Sequence, residues 1–320
     1  MMDEKIHIAV CLDNGYVMPT GVMMYSACVN NQDVDIDFHV LIDESVNAKD
    51  QQDLKDTVSK FRGKRVLFYS LKSITTLSFP LVKKHLTRAA YYRLFLSDIL
   101  PSTIEKVLYL DGDIIVRHSV LPLWNSDLTN LAVGVVMDTR DGDIVRYNRL
   151  RYSYKKGYFN SGVLLINLKY WRDNNTVNEF VEYLNNYPER IICEDQDVMN
   201  VVLQDKKLTL PVKYNFQTGF LEKIPRWDYW KYESEVKMGI EDPVILHFSY
   251  RPKPWYIDFP ISHPYRNTFL KYQSQTKWKD CCYDRRSLYM KIRNGIGDVL
   301  RKIGVKKRID NIFIEVPPID

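Results

Sequence analysis

Short apolar runs alternate with stretches of helical spacing from the start of the chain. Ile6–Leu12 is an apolar run closed by the turn signal Asp13-Asn14-Gly15. A second run at 38–42 is followed by 49–61, where Leu54, Val58 and Phe61 share one helical face, and a third run lies at 66–69. This rhythm predicts parallel strands joined by crossover helices. Further along, 89–99 reads as a helix and 107–110 as a buried strand. Strands are expected at 131–137, 162–167 and 244–248, and helices at 177–184 and 195–203. The expectation is one Rossmann-like α/β domain over residues 1–270, with a mostly parallel mixed central sheet, and an appended tail over 271–320. In such sheets ligands bind beyond the carboxyl ends of strands, so the residues that close each apolar run carry the candidate chemistry.

Composition narrows the class. A chain of 320 residues, 45% hydrophobic and 27% charged, builds its own core and is not disordered. No run approaches the eighteen apolar residues of a membrane span, and the opening Asp3, Glu4 and Lys5 do not resemble a signal peptide. Five cysteines without C-x-x-C spacing argue against a disulfide framework or a thiolate zinc site. A soluble chain acting in the cytoplasm is expected. The net charge of +5 is unevenly placed: residues 277–308 hold eleven Lys/Arg against three Asp/Glu, whereas residues 1–276 carry thirty-four of each sign. A neutral body argues against nucleic-acid binding, and a basic tail points to an anionic membrane surface. Within the tail, Leu288, Ile292, Ile296, Val299, Leu300 and Ile303 recur at helical spacing, which predicts an amphipathic helix. Loss of everything after Thr276 is expected to spare the chemistry of the body.

Asp-x-Asp begins at positions 33, 35, 111, 141 and 195, so alone it denotes a turn as readily as a site. Only Asp111-Gly112-Asp113 directly follows one strongly apolar run and precedes another, Ile114–Val116. Two carboxylates at a strand end present oxygens to a hard divalent cation. Asp141-Gly142-Asp143 reads as a polar loop, which makes Asp141→Ala a neutral control. His247 ends a later run, six residues before Lys253-Pro254-Trp255. One imidazole with two carboxylates suits Mn²⁺, with Mg²⁺ as the substitute, and Lys253 is a point charge for phosphate. Read singly, His247 is a hydrogen-bonded structural residue and Lys253 a solvated one. Arg93 is then a helix-surface arginine, Asn160 a turn residue, and Asp195 the N-cap of the helix that follows.

Five motifs occur in order: Tyr91-Tyr92-Arg93-Leu94, Tyr109-Leu110-Asp111-Gly112-Asp113, Phe159-Asn160-Ser161-Gly162-Val163-Leu164-Leu165-Ile166-Asn167, Glu194-Asp195-Gln196-Asp197, and His247-x5-Lys253-Pro254-Trp255. Together, from about residue 5 to 260, they resemble the retaining glycosyltransferases of family 8. Bacterial lipopolysaccharide galactosyl- and glucosyltransferases are the nearer likeness and glycogenin the more distant. The resemblance implies a GT-A fold, a UDP-sugar donor, Mn²⁺, and transfer of a hexose to a saccharide or lipid-linked saccharide acceptor. The setting it implies is lipopolysaccharide or other surface-glycan synthesis on the cytoplasmic face of a membrane. By residue, it implies that Asp111, Asp113 and His247 ligate the metal and that Lys253 meets the diphosphate. Asp13 and Tyr16 would hold the uridine, and Arg93, Asn160 and Asp195 the donor sugar, with Gly112 and Gly162 in the same donor site. Gln196 would lie at the reacting face beside Asp195, and Asp138 near both sugars.

Two positions depart from the family pattern. Tyr250 stands where members often have glycine, and Ala90 where relatives can have a hydroxyl residue. Three rival readings are weaker or narrower. An aspartyl phosphohydrolase leaves His247 and Lys253-Pro254-Trp255 unexplained, and a non-catalytic glycan- or membrane-binding protein has no need of the metal set. A self-glycosylating primer like glycogenin draws on the 22 tyrosines.

Overall fold

The computed structural model describes residues 5–70, 91–224, 229–257, 261–284, 311–317 and 319. Its strands are β1 (Ile6–Leu12), β2 (Ile36–Ile42), β3 (Lys64–Ser70), β4 (Lys106–Leu110), β5 (Ile114–Val116), β6 (Val133–Met137), β7 (Phe159–Asn167), β8 (Lys207–Thr209), β9 (Phe216–Gln217) and β10 (Ile245–His247). Seven form the central sheet in the order β3-β2-β1-β4-β7-β6-β8, and three form a small second sheet, β5-β10-β9. Within the central sheet only β7 runs against its neighbours, β4 and β6. The mostly parallel mixed sheet expected from the sequence is therefore present.

β1 is apolar at every position but His7 because both of its faces are covered. Ile6, Ile8, Val10 and Leu12 enter one core, with the helices Val17–Val29 and Ala48–Val58. Ala9 and Cys11 face a second core, with the helices Thr176–Asn186 and Glu194–Val202. The helix Val17–Val29 has no counterpart among the sequence expectations. Eleven of its thirteen residues are buried, so it has no polar face and no amphipathic period to detect. The expected helix at 89–99 is a 3₁₀ turn, Tyr92–Phe95, followed by the short helix Leu96–Ile99, and residues 89 and 90 lie outside the described residues.

One irregularity positions the site. Along β6, Val135 faces Leu164 of β7, but the next residue, Val136, faces Asn160. Ser161, Gly162 and Val163 thus bulge past β6, and their polar backbone groups on that side become available to side chains.

Two expectations change here. Asp141 is not in a bland polar loop: it is 1% exposed, its Oδ1 accepts from the Tyr147 hydroxyl at 2.6 Å and from the Tyr158 N–H, and Lys231 lies 3.9 Å away. Loss of that carboxylate strands buried donors, so Asp141 is a structural residue and unsuited to serve as a neutral control.

The first residues of the basic stretch at 277–308, and the segments on either side of it, are also parts of the body. The helix Arg266–Gln273 runs through residue 270. Beyond it, the Trp278 indole lies so close to Gly21 that a Cβ there would be 2.0 Å from the ring, and Lys277 reaches Asp53 and Asp56 at 2.7 and 2.6 Å. Tyr283 pairs by its backbone with Trp255 and Ile257, at 2.9 and 3.0 Å. Ile312 and Ile314 pair with Lys223 and Leu221, and Phe313 is 1% exposed. Loss of everything after Thr276 would therefore remove pieces of the body itself. The amphipathic helix expected over 288–303 lies outside the described residues. Among the described residues, no helix is long and apolar enough to cross a membrane.

Candidate active site

Asp111, Gly112 and Asp113 occupy the short link between β4 and β5, and antiparallel β10 pairs with β5 so that His247 faces Ile114. That register brings the imidazole to the carboxylates. His247 Nε2 lies 3.4 Å from Asp113 Oδ1 and 3.8 Å from Asp111 Oδ2, and one donor atom from each residue falls within 4.8 Å of the others. The tautomer follows from the bonds behind the ring. Asn160 Oδ1 accepts the Gly162 N–H at 2.9 Å and an Asn215 amide N–H at 2.9 Å. Asn215 therefore turns its oxygen to His247 Nδ1, 2.8 Å away, which must carry the proton. The Nε2 lone pair is left facing the carboxylates, the orientation that second partners of metal-binding histidines impose.

Lys253 sets its ammonium against Asp113 Oδ2 and the Phe248 carbonyl. Burial pushes the Asp113 carboxyl up, but the positive charge of Lys253 outweighs it and holds the group well below the ordinary carboxylate range. Two carboxylate oxygens and one imidazole nitrogen are a donor set that fits Mn²⁺ or Mg²⁺. The cradle is also tight. A Cβ on Gly162 would lie 2.2 Å from His247 Cε1 and 2.7 Å from Asp111 Oδ2, and one on Gly112 would lie 2.3 Å from Thr20 Oγ1. Both glycines are required by close approach.

A second group lies beneath the first. The Arg93 guanidinium is 3.1 Å from Asp111 Oδ1, 3.2 Å from Asp195 Oδ2 and 4.4 Å from the centre of the Tyr109 ring, and it donates to the Ser161 carbonyl at 2.9 Å. The Tyr109 hydroxyl also donates to Asp111, at 2.9 Å. Arg93 is thus a buried residue, not a helix-surface one. Asp195 does not cap its helix, which begins after Cys193 with no side-chain cap. Burial pushes the Asp195 carboxyl up to about 7, against the pull of Arg93.

Asn160, Gln196 and Asp138 form the third group. Asn160 and Gln196 each donate to Asp138 Oδ2 at 3.2 Å, and Gln196 Oε1 accepts the bulged Ser161 N–H at 3.0 Å. Asp13 and Tyr16 follow β1. The Tyr16 ring borders the Asp-Gly-Asp turn, where a Cβ on Gly112 would lie 3.3 Å from Tyr16 Cδ1, and it meets Trp255 edge-on at 6.4 Å; the charge of Asp113, then burial, pushes its hydroxyl upward. Ala90 lies outside the described residues, and Tyr250 sits with its hydroxyl 3.3 Å from Thr139 Oγ1.

Sequence reasoning missed the residues that hold these groups in place. Nothing in the pattern marks Asn215. Asp197 was visible inside its motif, but its role was not. It is fully buried: Oδ2 accepts from the Ile192 and Cys193 N–H groups at 2.8 Å, Oδ1 accepts from the Tyr158 hydroxyl at 2.7 Å, and Arg149 pairs with it at 2.8 Å. These bonds brace a turn in which Glu194 takes a φ of 43°, costly for a residue with a Cβ, and so aim Asp195 and Gln196.

A Rossmann-like sheet whose strand ends gather an Asp-x-Asp pair, an imidazole and a lysine agrees with the GT-A glycosyltransferase arrangement that the resemblance implies. Residues 7–257 match glycosyl transferase family 8, and the chain belongs to that family. General stress protein A of Bacillus subtilis (strain 168) is 29% identical, over 86% of this chain and 96% of its own. The lipopolysaccharide 1,3-galactosyltransferase of Salmonella typhimurium is 27% identical, over 87% of this chain and 80% of its own. Among solved structures, the galactosyltransferase LgtC in complex with donor and acceptor sugar analogs superposes with a TM-score of 0.73 at 25% identity, over 85% of this chain and 96% of LgtC.

Gly162→Ala tests the cradle. The added methyl must push His247 or Asp111 out of place, so Mn²⁺ affinity by calorimetry should fall on the order of 10-fold or more while circular dichroism stays unchanged. Unaltered affinity would mean that the three residues do not share an ion.

Proposed function

We propose that the protein moves a hexose, galactose or glucose, from a UDP-sugar to a saccharide acceptor with retention at the anomeric carbon, in the synthesis of lipopolysaccharide or another surface glycan. The observation that carries this reading is the convergence of Asp111, Asp113 and the Nε2 lone pair of His247 on one point, with the Lys253 ammonium already beside it. The Salmonella relative and LgtC are galactosyltransferases, which favours a hexose donor.

Breaking the bond between the anomeric carbon and UDP leaves negative charge on the diphosphate and positive charge on the sugar ring. Asp111, Asp113 and His247 would hold Mn²⁺, which would supply positive charge for the leaving diphosphate. Lys253 exchanges Asp113 for a phosphate oxygen and adds a second positive charge. Asp13 and Tyr16 receive the uridine, the Tyr16 ring stacking on the base. Arg93 and Asn160 bind hydroxyls of the donor sugar. The Asp195 carboxylate and the Gln196 amide oxygen face the developing positive charge. Gln196 is tied by its oxygen to Ser161 N–H and by its nitrogen to Asp138, which suits a fixed dipole better than a nucleophile. Front-face displacement within an ion pair is therefore preferred over a covalent glycosyl-enzyme. Tyr250, in place of a glycine, widens or re-forms one wall of the clamp on the diphosphate.

UDP release from a panel of UDP-sugars, with Mn²⁺ and with and without saccharide acceptors, tests the reaction. One UDP-hexose should support turnover, and Asp111→Ala, Asp113→Ala and His247→Ala should each lower the rate on the order of 10²-fold or more. Near-normal turnover by any of the three at limiting Mn²⁺ would remove that residue from the site.

We also place the enzyme on the cytoplasmic face of a membrane, held by the basic stretch at 277–308, where a lipid-linked acceptor would lie. Each basic residue near an anionic leaflet is worth about 1 kcal/mol. Because the flanks of that stretch are built into the body, the clean test is neutralisation: Arg301, Lys302, Lys306, Lys307 and Arg308 changed together to Gln. Salt-sensitive co-sedimentation with phosphatidylglycerol vesicles should be lost while transfer to a short soluble acceptor persists. Equal co-sedimentation would overturn the membrane reading.

A further inference from the structure

Between the loop of Asp138 and the loop from His247 to Lys253 stands a guanidinium that the reaction above does not use. Arg140 follows β6, and its backbone N–H donates to Asp138 Oδ1 at 2.8 Å, which fixes where its side chain leaves the turn. The guanidinium carbon lies 5.2 Å from the centre of the Tyr250 ring, and the Tyr250 hydroxyl meets Thr139 Oγ1 at 3.3 Å. One neighbour of Arg140 is therefore the loop that carries the metal-ligating histidine. The other is Asp138, bonded to Gln196 and Asn160 at the sugar end of the site.

The acids around Arg140 are already engaged. Asp138 is met by Arg146 at 3.4 Å as well as by two amides, Asp141 turns inward to Tyr147 and Tyr158 with Lys231 behind it, and Asp113 is paired with Lys253. Arg140 forms no ion pair among the described residues, and its Nε is buried with no hydrogen-bond partner. A buried, unmatched donor is uncommon in native proteins. A guanidinium beside an aromatic ring is held in orientation, and its Nε–Nη edge binds carboxylate or phosphate through two parallel hydrogen bonds.

We propose that Arg140, oriented by Tyr250, receives an anionic oxygen group, carboxylate or phosphate, carried on the saccharide acceptor. This rests on the transferase reading of the site. A neutral acceptor leaves Arg140 Nε unmatched, whereas an anionic one pairs it. The negative charge of the donor is served separately, by Lys253 and the cation site. Tyr250, the departure from the family pattern, thereby stands between the two, one wall of the diphosphate clamp and the support that turns Arg140 to the acceptor.

The test uses the full chain loaded with Mn²⁺ and UDP, titrated calorimetrically with glucose, glucose 6-phosphate and glucuronic acid. At least one anionic probe should bind the wild type about tenfold or more tightly than glucose, the effect of a charge-assisted hydrogen bond. Arg140→Gln should erase that preference without changing UDP affinity or the melting temperature. Arg140→Lys, which keeps the charge and loses the fork, should give an intermediate preference, and it serves alone if Arg140→Gln does not fold. A preference for the phosphate or for the uronate identifies the group. Equal binding of all three probes by the wild type would overturn the proposal. So would a preference that survives in Arg140→Gln, or a loss of UDP affinity in that variant, which would assign Arg140 to the diphosphate. Binding is read without turnover, so failure of every UDP-sugar in the release assay would count against the transferase reading alone.

Discussion

Two carboxylates and an imidazole nitrogen gathered in a mostly buried cleft require positive charge, and the structure is organised around supplying it. Lys253 provides that charge at Asp113, and Arg93 provides it at Asp111 from below. Because like charges at short range are costly where water is scarce, the cluster is stable only with such partners or with a cation. The same electrostatics would suit a metal and a diphosphate together: a bound cation would neutralise the pair and leave Lys253 available to a phosphate oxygen.

The rest of the fold serves this arrangement. Parallel β1 and β4 end side by side, so Tyr16, just past β1, borders the Asp-Gly-Asp turn. The small sheet fixes His247 opposite Ile114, and the bulge in β7 turns backbone groups of Ser161 and Gly162 toward Gln196, Arg93 and Asn160. Behind the functional side chains, Asn215 sets the histidine tautomer and Asp197 braces the turn ahead of Asp195. An amide or a carboxylate that touches no substrate can thus decide how well the touching residues are aimed.

Much of this was legible in the sequence, for a physical reason. Strands covered on both faces leave near-continuous apolar runs, so the expected limits of β1, β4 and β10 lie close to the observed ones, whereas β7 starts three residues before the expected 162, and the residues that end β1, β4 and β10 mark the site. The helix Val17–Val29 left no trace because burial on all sides erases its period. Asp111 and Asp141 carry the same Asp-Gly-Asp pattern, yet one faces an imidazole and the other anchors two tyrosines. Local sequence does not separate them, since the distinction lies in which distant strand arrives alongside. Asn215 acts through a partner 32 positions away in the chain, a relation that no local pattern encodes.

The central claim is that Asp111, Asp113 and His247 share one cation and that Lys253 is its counterpart at the diphosphate. Anomalous scattering from a crystal of the full chain grown with Mn²⁺ and UDP measures this directly. The account predicts one manganese peak contacting both carboxylates and His247 Nε2, with Lys253 Nζ moved from Asp113 to a phosphate oxygen. A peak elsewhere, or bound UDP with Lys253 still on Asp113 and no metal between the three residues, would contradict it.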